Sequence, residues 1–155
     1  MAEYNSKMNT RLYELCASLT EAERKTDIKL YFGSIHRTLE HLLYGDMAWL
    51  LRFMDKESEM PNIDQEIYLQ FEELALARLE WDHKLITWSD SVSEKWLEKD
   101  FSYTSNIDKK LRTKKVWLLV THMFNHQTHH RGQLSTALNQ LGLDFGVTDL
   151  PFLID

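Results

Sequence analysis

The sequence predicts an all-α protein, a four-helix bundle, and three observations point there. Its 155 residues include only five Gly and two Pro, and both prolines fall outside the long periodic stretches, so little interrupts helical chain. Apolar residues recur at three- and four-residue steps through four long segments, the spacing of one helix face. A hydrophobic content of 43 % with 27 % charged residues is that of an ordinary folded domain, and a chain of roughly 150 residues buries about two-thirds of its unfolded surface. Residues 1–155 are therefore read as one domain, with a small hairpin or irregular insert allowed before the last long helix.

The first helix is expected from about Asn5 to Leu19, on Met8, Leu12, Leu15, Cys16 and Leu19. Thr20-Glu21-Ala22-Glu23 reads as a capping box that opens a short helical turn. Ser34, after Gly33, caps a second long helix to about Asp55, with Ile35, Leu39, Leu42, Leu43, Leu50, Phe53 and Met54 on its apolar stripe. Pro61 and Asn62 punctuate the chain. Asp64 is then read as the cap of a third helix to about Ser89, on Ile67, Phe71, Leu74, Arg78, Trp81, Leu85 and Trp88. Between about Glu98 and Thr113 the period lapses, and Phe101, Tyr103 and Ile107 around Ser105-Asn106 permit a hairpin. Thr113 is expected to cap the fourth long helix and Gly142 to end it as the residue just past the C-cap. The tail, Leu143 to Asp155, is apolar enough to dock on the body.

Composition narrows the function classes. With 18 Lys+Arg against 24 Asp+Glu, a net charge of −6, the chain lacks the clustered cations of a phosphate-tracking surface, so no nucleic acid is expected as partner. The run Lys109, Lys110, Arg112, Lys114 and Lys115 is short, has no interleaved aromatics, and reads as solvated. No stretch is apolar enough to span a membrane, and Met1 to Asn5 has no signal-peptide pattern. The single cysteine, Cys16, sits on an apolar stripe as a buried filler and forms no internal disulfide. A reducing, cytoplasmic location is the expectation.

Four of the seven histidines fall in one stretch, His122-Met123-Phe124-Asn125-His126-Gln127-Thr128-His129-His130. Residues four apart share a helix face, so His126 and His130, or His122 and His126, can converge on one metal ion. Leu119, Met123, His126, His130, Leu134, Ala137 and Leu141 form one stripe, which favours the first pair. Two buried imidazoles side by side are costly unless their nitrogens are satisfied, and a metal satisfies them. The competing reading is a pair of histidines hydrogen-bonded to protein and water. A zincin site needs Glu where Gln127 stands. A ferritin-like di-iron site finds only Glu80-Trp81-Asp82-His83, and no Glu occurs between Val116 and Leu141. Glu80 and His83 therefore read as a solvated face.

A further ligand must come from another helix, and the second offers His36, His41 and Asp46. Counting about 100° per residue, Asp46 lies within the apolar stripe, His36 at its edge, and His41 on another face beside Thr38, Gly45 and Ala48. Those small side chains would let a helix approach closely. Periodicity alone ranks Asp46, not His41, as the inward polar group.

The stretch Ser34 to Leu50, with His36, His41, Gly45 and Asp46, followed by the stretch His122 to Gln133 and then Gly142 to Leu150, resembles the DinB-like (damage-inducible) family. These are metal-binding four-helix bundles, unrelated to the DNA polymerase of similar name. The resemblance covers nearly the whole chain. It implies a divalent metal held by His41, His126 and His130, with Asp46 and His122 as outer or substrate-facing groups. Three imidazoles suit zinc, nickel or iron and leave coordination positions open, as at a catalytic site. The wider superfamily includes S-transferases and an isomerase that use low-molecular-weight thiols such as bacillithiol or mycothiol. The resemblance thus implies a metal-dependent thiol S-transferase or hydrolase with a small-molecule substrate, and a homodimer. The alternative is a non-catalytic stress-response bundle that binds metal or a small ligand and acts through dimer or partner contacts. Arg131 could anchor an anionic substrate, although an arginine on a helix is more often a surface charge. His36 and His129 carry no assignment.

Overall fold

The helical periodicity of the sequence closes into four long helices in the computed structural model, which describes residues 1–62, 67–106 and 108–154. These are α1 (Ala2–Ala17), α3 (Ile35–Phe53), α4 (Phe71–Asp90) and α6 (Val116–Gln140). Two short helices, α2 (Glu21–Lys25) and α5 (Glu94–Leu97), and a hairpin of β1 (Asp100–Thr104) with β2 (Leu111–Lys115) complete the elements that position the site.

The caps read from the sequence hold at three places. Thr20 and Glu23 form a reciprocal capping box at α2, and Ser34 accepts the Arg37 amide at the start of α3. After α6, Gly142 takes φ +81°, and the Leu143 and Gly142 amides bond back to Leu138 and Asn139 at 2.9 and 3.0 Å. That is a Schellman ending, which a residue with a Cβ would strain.

Two helix starts differ from expectation. The third long helix begins at Phe71, and Asp64 lies outside the described residues. The chain just before it is spent on α3: the amides of Ile67 and Tyr68 donate to Glu40, and the Tyr68 carbonyl meets His36 Nε2 at 2.7 Å. Side chains of a neighbouring helix thus take the main-chain groups that an earlier helix start would need. Thr113 does not cap the last helix; it pairs with Ser102 in the hairpin, their hydroxyls 2.7 Å apart. α6 starts at Val116, whose amide bonds to the Lys99 carbonyl. The helix α5, capped by Ser93, is an element beyond those expected from the periodicity.

Around the bundle the order is α1, α4, α3, α6. One end is filled by Met8, Leu12, Leu39, Leu43, Leu74, Leu134 and the tail residue Phe145; the other by Leu50, Phe53, Leu85, Leu119, Met123 and Phe124. From these fillings α1 and α6 run one way and α3 and α4 the other, so the segment after α3 returns along the bundle as a crossover. The tail docks through Phe145 and through Tyr4 and Lys7, which donate to the Thr148 and Leu153 carbonyls at 2.7 Å each. No helix among the described residues is long and apolar enough to cross a membrane.

Between the two apolar ends lies a polar layer drawn from all four long helices. Arg78, only 2 % exposed, reaches Asp46 at 2.9 Å and Asp82 at 2.8 Å. Asn9 donates to Asp82 at 2.9 Å, Gln127 to Asp46 at 2.7 Å, and Arg131 to Asn5. Arg131 is thus a buried cation, not the surface charge expected of it, because α1 supplies an acceptor over its guanidinium. Burial pushes the Asp46 carboxyl up, to about 6, against the opposing pull of Arg78. Three donors, from Asn5, Arg78 and Gln127, converge on its two oxygens, the pattern of an ionised carboxylate.

Candidate metal centre

The α3 sequence makes two inward faces, and the site stands on the second. Leu39, Leu42, Leu43, Asp46 and Leu50 point to the bundle centre, as the apolar stripe predicts. His41 and Gly45 turn toward His126 of α6, and Ala48 lines a cavity with His122 and His126. Gly45 has a specific reason to be glycine: a Cβ there would stand 3.0 Å from His126 Cε1 and 3.2 Å from its Nδ1. The His126 ring can therefore lie against the α3 backbone. The Gln127 side chain, fully buried, locks the helix register by donating to the Leu42 carbonyl at 2.8 Å as well as to Asp46. That register puts His126 opposite His41.

His41 Nε2 and His126 Nε2 are 2.9 Å apart. With His130, their ligand atoms all lie within 4.8 Å of one another. The ring centroids form a near-regular triangle, with separations of 4.9, 4.8 and 4.5 Å. Phe32 closes one side, stacked on His41 with centroids 3.8 Å apart and an interplanar angle of 27°. His130 Nδ1 faces Gln133 Oε1 at 2.8 Å. The amide oxygen can only accept, so Nδ1 carries the proton and Nε2 keeps its lone pair toward the centre.

Electrostatics keep these rings neutral at pH 7. Burial lowers His126 to about 3, with the neighbouring imidazoles adding to the shift. Burial, then His130, lowers His41 to about 4. His130 is lowered by burial and partly restored by Gln133. Neutral imidazole is the state that ligates metal, and a four-coordinate ion with bonds of about 2.0–2.1 Å sets its ligand nitrogens roughly 3.3 Å apart. The donor set fits a divalent ion of the borderline class: three imidazoles could hold one, and no carboxylate or thiolate joins the cluster among the described residues.

The remaining histidines and Asp46 fall elsewhere. His122 is one turn up α6, its ring 6.1 Å from His126 and edge-on to Trp49 at 5.5 Å. Asp46 lies in the central polar layer, linked to the site through Gln127. His36 is buried against Tyr68, while His83 and His129 are exposed. Cys16 is fully buried, and burial pushes its thiol up to about 12, the inert filler that its stripe position suggested. The roles of Gln127, Phe32 and Gln133 are not visible in the helical periodicity. Only the i, i+3 spacing of His130 and Gln133 was a usable signal.

Among the described residues, one cavity opens onto all three histidines and a second onto His41 and His126. The first, of about 450 Å³, is walled by Tyr31, Phe32, Tyr44 and Ile67 and by the paired Arg37 and Glu40. The second, of about 500 Å³, lies under the hairpin beside Trp49, Tyr103 and His122.

Replacing Gly45 by Ala tests the close approach. The new Cβ should displace the His126 ring and lower metal affinity several-fold, measured by titration with a competing chelator. Thermal stability of the metal-free protein should hold or rise, because Ala exceeds Gly in helix propensity by about 1 kcal/mol.

Comparison with known proteins agrees with this architecture. The chain is 24 % identical over 153 residues to "Protein DinB" of Bacillus subtilis (strain 168), covering 95 % of this chain and 87 % of that protein. A family model described as "DinB family" matches residues 1–155. With that match spanning the whole chain, and with a helical bundle whose three histidines could bind a metal, the protein belongs to the DinB family.

Proposed function

We propose that this protein is a divalent-metal-dependent enzyme of the thiol S-transferase or hydrolase type, acting on a small molecule with a low-molecular-weight thiol as co-substrate. The observation that carries the proposal is the placing of three neutral imidazoles at the meeting point of two cavities. Three protein ligands leave positions open to a substrate, whereas a structural site closes its fourth. Bound there, zinc, nickel or iron would lower the pKa of a thiol or a water and so supply a nucleophile at neutral pH. The protein's own contributions are separate. Phe32 and Gln133 hold the His41 and His130 rings, Gln127 holds the α3–α6 register, and the aromatic walls of both cavities offer apolar surface to a substrate. The thiol must come from outside, since Cys16 is buried and protonated.

The experiment is to load the protein with zinc, nickel or ferrous iron, add a panel of small thiols and electrophiles, and follow loss of free thiol. Metal-dependent consumption that disappears in His126→Ala is expected. No metal-dependent rate across the panel would overturn the enzymatic reading in favour of a non-catalytic metal-binding bundle. That second reading, and the expected homodimer, draw support from Leu76 and Leu79, one turn apart on α4 and 69 % and 57 % exposed.

A further inference from the structure

The basic run from Lys109 to Lys115 plays no part in the metal centre, and the hairpin gives it a direction. Arg112 pairs with Tyr103 and Lys114 with Phe101 across the two strands. Directly opposed residues share a face of the sheet, and this face turns toward the bundle. Phe101 packs on Phe53 with centroids 5.6 Å apart, and Tyr103 on Trp49 at 5.1 Å. On β1 that face is aromatic and partly buried, whereas β2 carries two cations there, both exposed to solvent.

Both cations border the 500 Å³ cavity that reaches His41, His122 and His126. Arg52, on its floor, is 5 % exposed and engaged by Glu57 at 3.0 Å and Asn106 at 2.8 Å. Arg112 has Asp108 at 2.6 Å, while Lys114 makes no ion pair among the described residues. Arg52 and Arg112 are thus each answered by a carboxylate, and Lys114 is the cation in excess on the walls of this cavity. In the cavity on the other side of the triad, the lining charges Arg37 and Glu40 neutralise each other. Although the chain is acidic overall, one of the two openings to the triad is positive.

We propose that the hairpin-side cavity receives a carboxylate-bearing thiol, with Arg112 and Lys114 reading the carboxylate while the sulfur lies at the histidines. This rests on the metal-enzyme reading and adds the charge class of the co-substrate and the residues that select it. The aromatic cavity is then left for the second, uncharged reactant.

The test uses the full chain loaded with zinc and two probes of equal length, 3-mercaptopropionate and 3-mercaptopropanol, titrated calorimetrically at low and high salt. The carboxylate probe is expected to bind about tenfold tighter, equal to ~1.4 kcal/mol, with the preference shrinking as salt screens it. In the double variant Arg112→Gln/Lys114→Gln the ratio should fall to near one, while affinity for the neutral probe and zinc stoichiometry stay as they were. Lys114→Arg should keep the preference. Equal binding of both probes, binding of neither, or a preference that survives the double substitution would overturn the proposal. Zinc stoichiometry in the same samples reports separately on the metal centre.

Discussion

Replacing His126 by Ala should abolish metal retention, taking the protein from about one ion per chain to almost none. His126 is the middle member of the triad, with its Nε2 2.9 Å from that of His41 and its ring 4.5 Å from that of His130. Loss of an outer partner of a ligand alone costs ~10–100-fold in affinity, so loss of the central ligand should exceed that. His41→Ala should have an equally severe effect, whereas His129→Ala, removing an exposed ring outside the triad, should leave stoichiometry unchanged. Helicity of the metal-free variant should match that of the parent, because the imidazole edge is half-buried at the α3–α6 seam rather than in the apolar ends of the bundle. Metal content after purification without an immobilised-nickel step, together with circular dichroism, checks both halves. Unchanged stoichiometry in His126→Ala and His41→Ala would sink the metal assignment.

Arg78→Met should destabilise the fold by about 3–5 kcal/mol, the usual cost of stranding a buried charge by removing its partner. The guanidinium holds Asp46 and Asp82 together, all three side chains being 4 % exposed or less. Without it, two carboxylates remain in the bundle centre, with Arg131 committed to Asn5. The pH dependence follows from the direction of the Asp46 shift. Its folded value is already raised, to about 6, and removing Arg78 raises it further. A carboxyl with a raised folded value contributes stability that is complete below its unfolded value, near 3.9, and is lost as pH rises through the folded one. The deficit of Arg78→Met should therefore be small near pH 4 and largest above pH 7. Urea midpoints across that range measure it, and a deficit independent of pH would contradict this account of the layer.

The sequence carries the helical periods, three of the caps and the two-histidine face of the last helix in its local pattern. It leaves α4 and α6 starting too early. In both cases the reason lies in long-range pairing: Glu40 and His36 occupy the chain before Phe71, and Ser102 draws Thr113 into a strand. His41 shows the same division at the site. A single apolar stripe correctly places Asp46 in the core, but it cannot reveal that α3 has a second inward face. The small residues Thr38, Gly45 and Ala48 hint at one, and the family resemblance points to His41. Only the packed bundle brings it within reach of His126.

By itself, then, the sequence determined the helical class, the −6 charge, the lack of an internal disulfide and the i, i+4 pairing of His126 with His130. These follow from residue chemistry and from the fixed turn of a helix. The tertiary structure decided what depends on elements meeting: the third imidazole, the polar layer that buries Arg78 and Arg131, and the place of the exposed Arg112 and Lys114 at the rim of a cavity beside the triad. A helix presents every side of itself in the sequence, and burial selects among those sides only when a neighbour arrives.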